Sequence, residues 1–290
     1  MASEQKDLEA NRARSIHIER DRAFLHLQDA LEGLRNLADS SSDLAIVDPP
    51  YGASSMANAW KLPKDHKLDG FGGQWRLANN SWDALVGAEW FQFALDWLGE
   101  LKRIVRPTGS IWIHATYHNA GFVNVACQML GLEIINEVVW FKRNAFPNLA
   151  GRRLTASHET LLWVHTGGTQ RRYRFNYADV KSASFSEDSL KEAGKQLRTV
   201  WDIPNNKTRG ELQFGRHPTQ KPLRIAERLV LISGTPSGSL VVPFMGSGTE
   251  VIAGLRAGMT VHAFENDRES FDLAIRRIEA ESEQRALELE

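Results

Sequence analysis

The chain of 290 residues is 42% hydrophobic and 24% charged, an ordinary composition for a globular protein with a large core. Its net charge of -1 gives none of the overall basic character that many nucleic-acid-binding proteins show. The one cysteine, Cys127, excludes an intramolecular disulfide and fits a reducing compartment. The apolar runs are too short to span a bilayer and no secretion signal opens the chain, so we expect a cytoplasmic protein with no membrane partner.

The first third of the chain predicts a tail, a helix, a strand and a loop. Residues 1–14 are polar and are expected to form a disordered tail. Apolar residues at helix-like spacing predict a helix over Phe24–Leu37. The apolar run Leu44–Val47, ended by two prolines, predicts a buried parallel strand. Scattered glycines and prolines over Gly52–Asp83 predict a long loop, and such loops in compact domains are typically functional.

The rest of the chain alternates between predicted strands and helices. The predicted strands are 110–115, 132–141, 160–164, 239–242 and 259–264, and the predicted helices are 89–105, 122–130, 222–232, 249–257 and 268–283. This alternation predicts an α/β fold with a mainly parallel sheet and helices on both faces. Ligands of such sheets bind at the carboxyl ends of the strands.

A glycine turn, Gly246-Ser247-Gly248-Thr249, follows the predicted strand 239–242 and opens a predicted helix. Glycines at such a turn let backbone N–H groups approach a ligand closely. Glu265 ends the next strand, where an acid can accept hydrogen bonds from ribose hydroxyls. Because no lysine follows the glycines and the full dinucleotide motif is missing, the pattern favours a nucleoside ligand without a pyrophosphate. The alternative is a plain strand-to-helix turn.

A second turn, Asp48-Pro49-Pro50-Tyr51, ends the predicted strand 44–47. The prolines stiffen the turn and lack N–H donors, so the Asp48 carboxylate and the Pro49 carbonyl stand as acceptors beside an aromatic ring. Two acceptors and a ring suit a flat base that carries an NH2 group, since the acceptors take both amine hydrogens while the ring stacks on the base. The alternative is a strand-ending turn with an exposed tyrosine.

Both turns resemble motifs of one known family. Asp48–Tyr51 and Phe244–Gly248 are similar to the catalytic and cofactor motifs of S-adenosylmethionine-dependent amino-group DNA methyltransferases. The catalytic motif comes first along the chain, which is the circularly permuted order of the beta class. His217–Pro222 resembles the junction motif of that class, and Gln28-Asp29 stands where its members commonly have Gly-Asp.

Asn144–Arg153 and Ser157–Trp163 are similar to the cell-cycle-type branch of the adenine methyltransferases. The resemblance extends from about residue 29 to 278, nearly the whole chain. It implies a Rossmann-like methyltransferase fold as one catalytic domain over 15–290, and a site-specific DNA methyltransferase acting on adenine N6 of a flipped base. The implied cofactor is S-adenosylmethionine. DNA is the implied substrate, and a homodimer and a cognate restriction endonuclease are candidate partners.

The resemblance also implies roles for individual residues. The catalytic residues would be Asp48, Pro49, Pro50 and Tyr51. Residues of four motifs, together with Glu265 at the end of a strand, would bind the cofactor: Asp29, Asp48, His217, Thr219, Lys221, Phe244, Gly246, Ser247, Gly248 and Thr249. The range 142–216, irregular and basic apart from the strand 160–164, would be an inserted target-recognition region. Within it the residues expected to contact DNA are Lys142, Asn144, Arg152 and Arg153.

Besides Gln28, which replaces the usual glycine, two positions depart from the family pattern. Val242 stands where members usually carry an acid, which leaves cofactor affinity open at that position, and Glu250 stands where a small hydroxyl residue is common. Cytosine N4 is an alternative target, because its amine is chemically similar. Enzymes of that type more often carry Ser at the position of Asp48, so Asp48 favours adenine. A non-catalytic DNA-recognition subunit would fit Val242, whereas the intact Asp48 and Tyr51 favour an enzyme.

Two further chemistries are not supported by the residues. Methylation of cytosine C5 needs a cysteine nucleophile, and Cys127 lies within a predicted helix, where it is expected to be a small core residue. No cysteine cluster and no His-Glu-x-x-His run occurs, so no metal site is predicted.

Overall fold

The computed structural model describes residues 14–18, 22–51, 85–147, 154–168 and 172–288. The predicted tail 1–14 therefore lies outside the described residues except for Arg14, which begins a strand. The predicted loop 52–83 and the predicted DNA contacts Arg152 and Arg153 also lie outside them. No helix in the described ranges combines the length and the hydropathy needed to cross a bilayer.

The described strands form one nine-stranded sheet in the order β1-β2-β9-β8-β3-β4-β6-β5-β7. Their bounds are β1 Arg14–Ile18, β2 Ala23–Leu27, β3 Ser42–Val47, β4 Val105–Ala115, β5 Glu133–Phe141, β6 His158–His165, β7 Val200–Asp202, β8 Ser239–Val242 and β9 Thr260–Glu265. The five strands from β2 to β4 in this order are all parallel. Antiparallel pairing is confined to β1 with β2 and to β6 with its two neighbours. The prediction of a mainly parallel sheet is confirmed.

Helices cover both faces of the sheet. Their bounds are α1 Ala30–Arg35, α2 Gly87–Ile104, α3 Ala120–Met129, α4 Tyr177–Ser182, α5 Arg209–Leu212, α6 Leu223–Ser233, α7 Thr249–Arg256 and α8 Arg268–Glu288. Alternate residues of β3 point to opposite faces, as the two-residue period of a strand requires. Leu44 and Ile46 pack in a core with side chains of α6, α7 and α8, while Ala45 and Val47 pack with side chains of α1, α2 and α3.

The prediction of a single helix over Phe24–Leu37 is wrong. The first four of these residues belong to β2, which pairs with β9, and only Ala30–Arg35 is helical. Ala23 and Leu25 are fully buried in the first core, which is the alternation of a strand. Within the range 142–216, the structure adds β7 and the short helices α4 and α5 to the predicted strand. Because β6 and β7 are strands of the main sheet, this range is partly built into the fold.

The topology brings the two predicted turns together. Strands β9, β8 and β3 are adjacent and parallel, so their carboxyl ends lie at one edge of the sheet. Asp48 follows β3, Phe244 comes two residues after β8, and Glu265 is the last residue of β9. Asp48 and Glu265, which are 217 positions apart in sequence, therefore lie at the same edge of the sheet.

Candidate active site

A cavity of about 310 Å³ opens at this edge of the sheet. Thirteen of the predicted catalytic and cofactor-binding residues line it: Asp29, Asp48, Pro49, Pro50, Tyr51, His217, Thr219, Lys221, Phe244, Gly246, Ser247, Thr249 and Glu265. The volume falls in the range of small-molecule sites, which is roughly 300–1,000 Å³. The structure thus assembles residues from all four motifs around one space.

The Asp48 carboxylate is the centre of a buried polar cluster. Lys221 donates to both of its oxygens, with Nζ 2.9 Å from Oδ1 and 2.7 Å from Oδ2. The Tyr51 hydroxyl donates to Oδ1, and Lys221 Nζ also lies 2.7 Å from the Tyr51 oxygen. Burial alone would raise the pKa of Asp48, but the neighbouring Lys221 ammonium more than offsets it and holds the pKa below its usual value. Asp48 is therefore an anion at neutral pH.

The other two members of this cluster keep their protons. Burial, with a further effect from Asp48, raises the pKa of Tyr51 well above its usual value, so the phenol stays a donor. Burial opposes a charge on Lys221, but Asp48 and Glu159 raise its pKa overall, so the ammonium stays charged. The turn itself is anchored to α2, because the Trp90 indole N–H donates to the Pro50 carbonyl at 2.7 Å.

Glu265 orders the opposite side of the cavity. Its Oε2 accepts the Gly246 N–H and its Oε1 accepts the Asp267 N–H, both at 2.8 Å. Gly246 has φ +51°, a left-handed conformation that glycine adopts without strain. Each carboxylate oxygen has more than one lone pair, so Glu265 can accept further hydrogen bonds from a ligand hydroxyl. Burial raises its pKa.

Two more predicted cofactor residues combine a structural contact with a place on the cavity wall. The Asp29 side chain caps α1 by accepting the N–H groups of Leu31 and Glu32, at 2.9 and 3.2 Å. The Phe244 ring packs against the rings of Phe93 and Trp97, with centroids 5.8 and 6.2 Å apart. The cavity therefore has an acidic corner and an aromatic wall.

Gly248 does not line the cavity. It is the N-cap of α7 with φ +78°, and a Cβ there would lie 3.2 Å from Ala274 Cβ and 3.1 Å from Ile278 Cδ1 of α8. The structure therefore places Gly248 as a packing position between two helices, where both the left-handed backbone and the close approach require glycine.

Val242 and Glu250, which both depart from the family pattern, have different structural surroundings. Val242 is fully buried and belongs to the core on the α6, α7 and α8 side, so its side chain does not face the cavity. Glu250, by contrast, lines the cavity and is only 4% exposed. Burial, followed by the nearby Asp48 charge, raises the pKa of Glu250 to about 7. Glu250 thus adds a carboxyl group to those of Asp29, Asp48 and Glu265 on the cavity wall.

The predicted DNA contacts are not brought together on a described surface. Lys142 Nζ lies 2.9 Å from Glu159 Oε1, and both side chains are largely buried. Asn144 is exposed, and its Oδ1 accepts the Asn205 N–H at 2.7 Å. The structure thus pairs Lys142 with Glu159 in a largely buried position, and its contact with DNA stays a prediction.

Two residues near the site were not predicted. Glu159 lies on β6 with its Oε2 3.7 Å from Lys221 Nζ. His114 on β4 is fully buried and interacts electrostatically with Asp48 and Lys221. Burial lowers its pKa to about 4. Glu159 lies in the segment Ser157–Trp163 that resembles the family, and this resemblance could have marked it as a candidate site residue. Its contact with Lys221 is created by the fold and is not visible in the sequence.

Comparisons with known proteins show the family of the chain. The family described as DNA methylase, N6_N4_Mtase, matches residues 42–276. Type II methyltransferase M2.DpnII of Streptococcus pneumoniae is 31% identical over 268 residues, covering 91% of this chain and 92% of the relative. Type II methyltransferase M2.LlaDCHI of Lactococcus lactis subsp. cremoris is 30% identical over 266 residues, covering 90% of this chain and 91% of the relative. The chain belongs to the N6/N4 DNA methylase family, as its motifs predict.

Solved structures share the fold. The M1.HpyAVI–SAM complex matches with a TM-score of 0.57 and 20% identity, covering 88% of this chain and 99% of that one. The PvuII DNA methyltransferase (cytosine-N4-specific) matches with a TM-score of 0.66 and 15% identity, covering 88% and 86%. The predicted Rossmann-like methyltransferase fold is confirmed.

Proposed function

We propose that this chain is a site-specific DNA methyltransferase that transfers a methyl group from S-adenosylmethionine to N6 of a flipped adenine. The observation that carries the proposal is Asp48, a buried anion that follows β3 on the wall of the cavity, beside Tyr51. The family membership supports methyl transfer to a DNA base, and Asp48 supports adenine as that base.

The residues that line the cavity fit S-adenosylmethionine. Glu265 has acceptor capacity for ribose hydroxyls, Phe244 offers an apolar wall, and Asp29 lies at the acidic corner. The Gly246 N–H is already used by Glu265, which fixes the turn in place for the ligand. Bound there, the cofactor supplies an electrophilic methyl group on a positively charged sulfur. Since Val242 packs in the core, it leaves this cavity open.

The chain's own residues activate the target amine. The adenine amine is a poor nucleophile, because its lone pair is delocalised into the ring. Asp48 and the Pro49 carbonyl would accept the two amine hydrogens and favour sp3 geometry at the nitrogen, which localises the lone pair on that atom, while Tyr51 stacks on the base. Catalysis then depends on positioning and electrostatics, with no covalent enzyme intermediate. Extruding the base from the duplex costs about a few kcal/mol.

Cytosine N4 is the second candidate target, since the same acceptor pair would serve its amine. A non-catalytic recognition subunit is less well supported, because the cavity is formed and Asp48 is ionised. For partners, DNA is the substrate, and the Type II names of the relatives support a cognate restriction endonuclease. A homodimer is the further partner we propose, and the single cysteine fits the cytoplasm as the compartment.

Nucleoside mass spectrometry tests the proposed reaction. Purified protein is incubated with unmethylated DNA and S-adenosylmethionine, beside the variant Asp48→Ala. We expect N6-methyladenine from the wild type, and a rate lower by about a thousandfold or more from Asp48→Ala because the amine loses its anionic acceptor. The variant should still bind DNA. N4-methylcytosine as product would overturn the base assignment, and wild-type turnover by Asp48→Ala would overturn the mechanism.

A further inference from the structure

The acceptor that the target amine needs is already in use. Both Asp48 oxygens are hydrogen-bonded by Lys221, and Tyr51 donates to Oδ1. The Tyr51 ring must be free to stack on a base, and an amine hydrogen must find a lone pair on Asp48. Asp48, Tyr51 and Lys221 are therefore hydrogen-bonded to one another. Lys221 must move away from Asp48 before the carboxylate can accept a hydrogen from a base.

Lys221 cannot simply turn its ammonium to water. Its side chain is 4% exposed, and an unpaired ammonium in such a place is strongly unfavourable. A second buried carboxylate must therefore receive it. Burial alone would raise the pKa of Glu159, but the charges of Lys221 and Lys142 hold it below its usual value, so Glu159 is an anion too.

Glu159 has one oxygen available for this purpose. Its Oε1 accepts from Lys142 at 2.9 Å, whereas its Oε2 is buried and accepts no hydrogen bond from any described residue. Oε2 lies 3.7 Å from Lys221 Nζ, which is about 1 Å longer than a charged hydrogen bond. A small movement of one ammonium group would thus exchange its partner.

We propose that Glu159 is a positioning residue for methyl transfer, which takes the Lys221 ammonium from Asp48 when the target amine enters. This inference rests on the proposed function of the same site. The exchange moves no proton and changes no net charge: Lys221 stays an ammonium, Asp48 and Glu159 stay carboxylates, and Lys142 keeps Oε1. Lys221 gives up its hydrogen bonds to the two Asp48 oxygens, donates to Glu159 Oε2 instead, and leaves Asp48 free to accept an amine hydrogen.

Substitutions of Glu159 test this role by separating binding from chemistry. Single-turnover methyl transfer is compared for the wild type, Glu159→Gln and Glu159→Asp, with Glu137→Gln as control because Glu137 is an exposed carboxylate on neighbouring β5. We expect Glu159→Gln to slow transfer by roughly tenfold to a hundredfold, while the Kd values for cofactor and DNA stay within about twofold. Glu159→Asp should recover most of the rate. Unchanged transfer by Glu159→Gln, or equal losses of binding and rate, would overturn the role.

A second measurement does not depend on activity. The ammonium signal of Lys221, observed by NMR of nitrogen-labelled lysine and assigned with Lys221→Arg, reports the partner of the ammonium directly. We expect the signal to shift when target DNA is added to the wild-type cofactor complex, and to stay in place in Glu159→Gln. A signal that DNA leaves unchanged in the wild type would contradict the exchange, even in a protein that methylates adenine. Absence of any methylated product, by contrast, would count against the proposed function alone.

Discussion

Two carboxyl groups of the same cavity differ in charge at neutral pH. Asp48 is held ionised by the Lys221 ammonium, whereas Glu250 has its pKa raised to about 7 by burial and by the Asp48 charge. A carboxyl group whose pKa lies near the working pH is a common feature of functional sites. Glu250 is also a departure from the family pattern, and the charge of this cavity changes with pH through its carboxyl group.

Replacing Glu250 should change how stability depends on pH. The folded-state pKa is about 7 against 4.5 for the ordinary group, so the folded state binds the proton more tightly. The free energy of unfolding contributed by the protonated carboxyl is therefore fully present below pH 4.5 and is lost as the pH rises to about 7. Glu250→Gln should avoid this loss, and its advantage over the wild type should grow by about 3 kcal/mol between pH 4 and pH 8.

Urea unfolding at several pH values measures this difference. Glu89→Gln is the matched control, because Glu89 also lies in the first turn of a helix but is exposed. We expect the difference between Glu89→Gln and the wild type to stay nearly constant with pH. If the difference in the free energy of unfolding between Glu250→Gln and the wild type also stays constant with pH, burial does not raise the pKa of Glu250.

The residues that the sequence identified are those whose chemistry is visible locally. The turns at Asp48 and at Gly246 are short local motifs, and the structure places both on the wall of one cavity. The ion pair between Asp48 and Lys221 joins residues that are 173 positions apart, so no local sequence pattern predicts it. Lys142 was assigned to DNA because its basic neighbours are visible in sequence, whereas its partner Glu159 is brought to it by strand pairing.

At the scale of the elements, the length of each helix and the pairing of each strand explain which secondary-structure predictions were correct. Long periodic helices such as α2 and α8 were predicted nearly to their bounds. Strand β2 was mistaken for helix because Leu25, Leu27, Leu31 and Leu34 also fit a helical spacing, and only pairing with β9 separates the two. Strand β7 has three residues and owes its conformation to β5, so its own sequence carries little signal.

The packing of α7 on α8 depends on Gly248. An alanine there would have to adopt φ +78° with its Cβ 3.2 Å from Ala274 Cβ, so we expect Gly248→Ala to lower the free energy of unfolding by about 1–2 kcal/mol. Gly99→Ala is the control, because Gly99 lies inside α2 and a Cβ there meets nothing within 4 Å. That variant should be neutral or slightly stabilised. Chemical denaturation of both variants checks this, and an unstrained, fully stable Gly248→Ala would show that the position tolerates a side chain.

At the scale of the whole molecule, the charge is unevenly distributed along the chain. The chain carries a net charge of -1, yet seven of its basic residues lie between Lys142 and Arg174 with Glu159 as the single acid. The structure pairs Lys142 with Glu159, and Arg143 with Asp202, so these two cations are engaged within the protein. We therefore expect the other basic residues of this range, among them Arg152 and Arg153, to make more of the electrostatic contact with DNA.

Arg152 and Arg153 should contribute to DNA binding through phosphates rather than through bases. Each phosphate contact releases counterions, so the double variant Arg152→Ala/Arg153→Ala should weaken binding to all sequences alike and reduce the slope of log Kd against log salt by about 2. Fluorescence anisotropy over a range of salt concentrations measures both effects. Arg106→Ala serves as control, because Arg106 pairs with Asp43 at the amino-terminal end of β3, on the edge of the sheet away from the cavity. If the double variant instead changes which site is methylated while its affinity and salt slope stay those of the wild type, the two arginines read bases, and the target-recognition role of this range extends to direct contact with the sequence.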